Sequence, residues 1–77
     1  MKIYTLVVKT FINNMPEHLH FTDHWIFNDL DKAYEVAERL KHMTMLHPDK
    51  LEESCFKQGR LVRKRTIIDF NKSDNTE

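Results

Sequence analysis

Covalent cross-links are missing from this sequence. Its 77 residues include one cysteine, Cys55, so no disulfide can form within the chain. Small secreted domains depend on such bridges, and the expectation is a cytoplasmic protein. Gly59 is the only glycine, which excludes a glycine-rich phosphate loop. Neither charge sign is in excess: Lys and Arg total 12, Asp and Glu total 12. A balanced chain is a poor candidate for a generic binder of nucleic acid or acidic membranes. Long apolar runs are lacking too. The N-terminal run from Ile3 to Val8 is bounded by Lys2 and Lys9 and is followed by no small-residue cleavage site. It is too short for a signal peptide or a membrane span. Alanine occurs only as Ala33 and Ala37, while Lys, Asn, Ile and Phe are plentiful. That bias suits an AT-rich coding sequence, such as that of a low-GC bacterium or its phage.

What is present is enough for one small globular domain. Hydrophobic residues make up 40% of the chain and charged residues 31%, outside the range of disordered or membrane-spanning chains. A domain this small hides only ~60% of the surface its unfolded chain exposes. Its core supplies roughly 3–5 kcal/mol of net stability. A second domain, a dinucleotide fold or a barrel with an internal cavity does not fit.

Lys2 to Ile12 is rich in β-branched and aromatic residues and reads as a strand. Asn13-Asn14-Met15-Pro16 has turn chemistry. Glu17 to Phe27 alternates as a second strand: Leu19, Phe21, Trp25 and Phe27 share one side, with Asp23 as the exception. His18, His20, Thr22, His24 and Ile26 share the other. Asn28 or Asp29 caps a helix that runs to about Met45, with Leu30, Ala33, Ala37, Leu40 and Thr44 on its apolar stripe. Glu35 and Arg39 are four apart in the favourable order. Pro48 disfavours helix at His47.

Residues 49–59 are compatible with a proline-started helical turn or with a hairpin that has Gly59 at the left-handed position of a bulged turn, and the hairpin is the better match. Arg60 to Phe70 is the last strand. Its apolar phase changes, with Val62, Ile68 and Phe70 on one parity and Leu61 and Ile67 on the other, which predicts a bulge near Lys64–Thr66 or burial on both faces at its ends. The expectation is a small α+β two-layer sandwich. It has a mostly antiparallel sheet of three or four strands and one main helix, in the order β-β-α-β-β or β-β-α-α-β. Residues 1–70 form the domain and 71–77 a disordered polar tail. The core is expected from Tyr4, Leu6, Val8, Leu19, Phe21, Trp25, Ala33, Ala37, Leu40 and Ile68.

Four groups of residues bear on chemistry. His18 and His20 are two apart on one strand face and could share a Zn²⁺ ion. His24 lies about 13 Å further on at ~3.3 Å per residue, too far to join them. A solvated strand face explains the row more simply, and no metal or other cofactor is expected. Cys55 lacks a positioned base and reads as a small, partly buried thiol. Asp29, Asp31, Glu35 and Glu38 serve the helix dipole and solubility; a catalytic role needs a pocket that a one-helix sandwich does not offer. Arg60, Arg63, Lys64 and Arg65 form a local basic patch that could follow phosphates. No aromatic residue interleaves it, as single-strand binders require, so protection of an edge strand or a protein contact suits it better. Nucleic acid is therefore the second reading, and no enzyme activity is expected.

The first strand points to association. Tyr4, Leu6, Val8 and Ile12 form one face, but Ile3, Val7 and Phe11 make the other nearly as apolar. One helix covers only one face. Ile3, Val7 and Phe11 then suit a homodimer interface or the docking surface for a protein target, unless residues 48–56 fold across them. The function expected from the sequence is a small non-enzymatic regulator that binds another protein, of the kind phages and prophages use as accessory factors.

Overall fold

A computed structural model describes residues 1–12 and 20–71. Its elements are β1 (Lys2–Phe11), β2 (His20–Phe27), α1 (Leu30–Leu40), β3 (Leu46–Lys57) and β4 (Arg60–Asp69). This is the expected α+β fold, with the β-β-α-β-β order. The sheet is antiparallel, with strand order β2-β1-β3-β4. β2 and β3 flank β1 and run in the same direction, so the chain must cross over between them, and α1 makes that crossing.

That path sets the core. Alternation along β1 sends Tyr4, Leu6 and Val8 to the helix side and Ile3, Thr5, Val7, Lys9 and Phe11 to the open side. Leu6, Val8, Ala33, Ala37, Leu40 and Leu51 form the buried cluster, and Tyr4, Trp25, Phe27, Ile67 and Ile68 pack against it. The two alanines let the helix lie close to the strands. One expected core residue differs. Phe21 is 63% exposed, because it shares the helix side but lies opposite Thr10, beyond the partly buried Trp25. Leu19 lies outside the described residues, as do His18 and most of the expected tail. Leu51, missing from the sequence-based core, is fully buried opposite Leu6 and Ile68.

Asp29 caps α1, accepting from the backbone N–H of Asp31 at 2.9 Å. Arg39 and Glu35 form the expected i,i+4 pair at 3.0 Å. The helix ends at Leu40 rather than near Met45. Lys41, His42 and Met43 close its last turn through the carbonyls of Ala37, Arg39 and Leu40. Beyond it the carbonyl of Met45 accepts from Phe11 N–H at 2.8 Å, and Leu46 pairs with Thr10. Sheet pairing therefore claims residues whose local preference suits helix.

The hairpin reading of residues 49–59 is the observed one, and β3 begins even earlier, at Leu46. Gln58 (φ 53°) and Gly59 (φ 77°) both adopt left-handed backbone between the paired Lys57 and Arg60. That is a two-residue hairpin turn with positive φ at both positions, not the bulged turn the sequence suggested. Pro48 lies within β3, beside a bulge at Asp49 and before β4 pairing begins at Lys50, a place where a strand tolerates proline. The phase change in β4 is resolved by two bulges, at Val62 and Ile67, flanking the region expected to hold one. Asn71, assigned from sequence to the tail, is tied to the fold. Its backbone N–H donates to Asp69 and its side-chain amide to the Asp49 carboxylate.

Candidate interaction surface

Each bulge in β4 exchanges the two sides of the strand. Arg60 pairs with Lys57; after the bulge at Val62, Arg63 lies opposite Cys55 and Arg65 opposite Glu53, on the helix side. Lys64 lies opposite Ser54 on the open side. The basic residues are thus divided between faces.

Half of the patch is already engaged. Arg65 Nε donates to Glu53 Oε1 at 2.9 Å, and Lys2 Nζ lies 3.8 Å from Glu53 Oε2. The hydrogen bond from Arg65 holds the Glu53 carboxyl below the ordinary carboxylate range; burial opposes it, and the charges of Arg65, Lys2 and Arg63 add to it. The same bond raises the Arg65 guanidinium above its usual value. On the open side, Glu52 accepts Lys64 at 3.6 Å and Lys50 at 3.4 Å. Arg60 and Arg63 form no ion pair among the described residues. The patch offers phosphates less positive charge than its sequence suggests.

Ile3, Val7 and Phe11 do share the open face, but they are not a bare stripe. Val7 is only 4% exposed, flanked across the strands by His24 and Lys50. Ile3 and Phe11 are half-buried. Ion pairs occupy the middle of the face: Lys9 with Asp49 at 3.4 Å, and Glu52 with its two lysines. Exposed apolar surface is displaced to two margins. One is Ile26 on β2. The other is the β3–β4 hairpin end, where Leu61 lies opposite Phe56. There a shallow cavity of about 380 Å³ is lined by Met1, Ile3, Phe56, Lys57, Gln58 and Gly59. Sequence reading missed Phe56 and Leu61 as surface residues. The signal that could have found them is the hairpin turn itself, which sets Phe56 against Leu61 once Lys57 and Arg60 are paired.

The described residues contain no group of three or more His, Cys, Asp or Glu side chains able to hold a metal. Of the pair His18 and His20, His18 and the His20 side chain lie outside the described residues. No helix among them is long and apolar enough to cross a membrane. No protein-family model, curated protein or solved structure matches the chain.

Proposed function

We propose that this chain acts by binding another protein, which docks on the hairpin end of the open sheet face. The observation that carries the reading is the apolar group of Met1, Ile3 and Phe56 lining the shallow cavity, with Leu61, 52% exposed, opposite Phe56 in the next strand. Lys57 lines the same cavity and forms no ion pair among the described residues. An apolar centre with a charged rim is the general form of a protein interface. The sign of the rim favours a target that presents an apolar anchor among carboxylates.

Nucleic acid is the weaker reading, because Lys64 and Arg65 already have carboxylate partners. The experiment is affinity capture with the full chain, followed by reconstitution with the purified target at two salt concentrations. Direct binding that survives nuclease, changes modestly with salt and is lost in Leu61→Lys supports a protein target. Capture that disappears with nuclease, or an affinity that collapses steeply with salt, overturns it in favour of phosphate binding.

A further inference from the structure

We infer that the chain forms a homodimer through its β2 edge, pairing antiparallel with β2 of a second copy about a twofold axis at His24. The inference stands apart from the identity of any target.

The two edges of the sheet are treated differently. β4 is bulged at Val62 and Ile67 and carries Arg60, Arg63, Lys64 and Arg65. Bulges and basic residues are the devices that stop an edge from pairing with another sheet. β2 has neither. It pairs with β1 without a break from Phe27 to His20, and His20–Phe27 holds no Lys, Arg, Pro or Gly. Its outer backbone groups have no strand partner among the described residues.

The side chains of β2 call for a neighbour beside the strand, not over it. Phe21 is 63% exposed on the helix side, and Ile26 is 62% exposed on the open side. A body resting on either face would cover one and leave the other. A strand added at the edge flanks both.

Register then selects the axis. Directly opposed residues of antiparallel strands point to the same side, so a twofold pairing must centre on one residue. Centring on Asp23 sets two like charges against each other, which is destabilising. Centring on Thr22 puts Phe21 against Asp23, and centring on Trp25 puts Asp23 against Phe27. Only the register centred on His24 sets Phe21 against Phe27 and Ile26 against Thr22 in both halves. It also moves each Asp23 beside a tryptophan. Aromatic and β-branched pairs across strands are the contacts that stabilise such a junction.

Light scattering and cross-linking of the full chain test this. The parent is expected to be dimeric at about 100 μM, where a dissociation constant near ~1 μM leaves little monomer. Phe21→Lys should weaken the dimer roughly tenfold or more with an unchanged circular dichroism spectrum, while Leu61→Lys stays dimeric. In a Cys55→Ser background, His24→Cys should form an intermolecular disulfide on mild oxidation, because opposed Cα atoms lie about 4.5–5.5 Å apart. Thr22→Cys should not, because its copy lies about 13 Å along the strand. A monomeric parent overturns the dimer. Cross-linking of Thr22→Cys as fast as His24→Cys overturns the register. Dissociation by Leu61→Lys but not by Phe21→Lys moves the interface to the open face and overturns the edge assignment.

Discussion

Arg65 reaches from an exposed edge strand to a carboxylate that is almost wholly buried: its Nε donates to Glu53 Oε1 at 2.9 Å, with 60% of the arginine side chain exposed and 5% of the glutamate. Glu53 is the buried acid of the helix side of the sheet. Its charge is tolerable there because Arg65 and Lys2 face it.

The pH dependence of stability should report that pair. The Glu53 carboxyl is depressed in the folded state, first by the Arg65 hydrogen bond. A depressed acid stabilises the fold above its unfolded pKa, and that contribution is lost as pH falls through the folded value. The parent should therefore lose Tm on acidification below about pH 5. Arg65→Met removes the bond that lowers the pKa. It should melt lower at neutral pH and show a shallower decline in acid. Parallel Tm–pH curves for the two proteins would show that Glu53 owes nothing to Arg65.

Oligonucleotide titration measures how much of the basic stretch is free. With Arg65 held by Glu53 and Lys64 by Glu52, only non-specific association is expected, in the ~10⁻⁴–10⁻⁶ M range, weakening as salt rises. Nanomolar binding of DNA or RNA at physiological salt would reverse the order of the two functional readings.

The strands β1, β2 and β4 and the start of α1 were legible because their signals are local: alternation, β-branched residues and a capping aspartate. The end of α1 was not. Lys41, His42 and Met43 suit a helix, and what stops them is pairing with β1, far away in sequence. The segment from Leu46 was obscured by Pro48, which reads as a helix start unless the bulge at Asp49 is known. The Glu53–Arg65 pair was hidden for a similar reason. A regular hairpin turning at Gln58–Gly59 would set Glu53 opposite Lys64; the bulge at Val62 advances the register and brings Arg65 instead. The apolar second face of β1 was seen, but not that Val7 is covered by its neighbours within one chain. A charged residue at Val7 would damage the fold before it tested any interface.

Leu51 and Leu61 separate core from surface. Leu51 is fully buried where β1, β3 and β4 meet, and Leu51→Ala should cost about 2–5 kcal/mol. That is comparable with the roughly 3–5 kcal/mol that holds a domain of this size together, so the variant should be largely unfolded at 25 °C. Leu61→Ala, half-exposed at the hairpin end, should stay within about 0.5 kcal/mol of the parent. Urea denaturation of both gives the comparison. A Leu51→Ala protein with the parent's midpoint would mean that β3 does not pack as described.

The hairpin turn is the last place where a single residue decides the fold. Gln58 and Gly59 both hold positive φ, at 53° and 77°. Glycine adopts that backbone freely, whereas a residue with a Cβ in left-handed geometry is strained by roughly 1–2 kcal/mol. Nothing lies within 4 Å of a Cβ built on Gly59, so Gly59→Ala should be destabilising through backbone strain alone, without a steric clash. Gln58 already carries that strain, and Asn-Gly is the preferred pair for this turn. Gln58→Asn should therefore raise Tm while leaving every contact of the sheet in place. The two variants move in opposite directions only if residues 58 and 59 are both left-handed. Thermal melts in which Gly59→Ala matches the parent would place the turn elsewhere. They would also undo the register that sets Phe56 against Leu61 and Glu53 against Arg65.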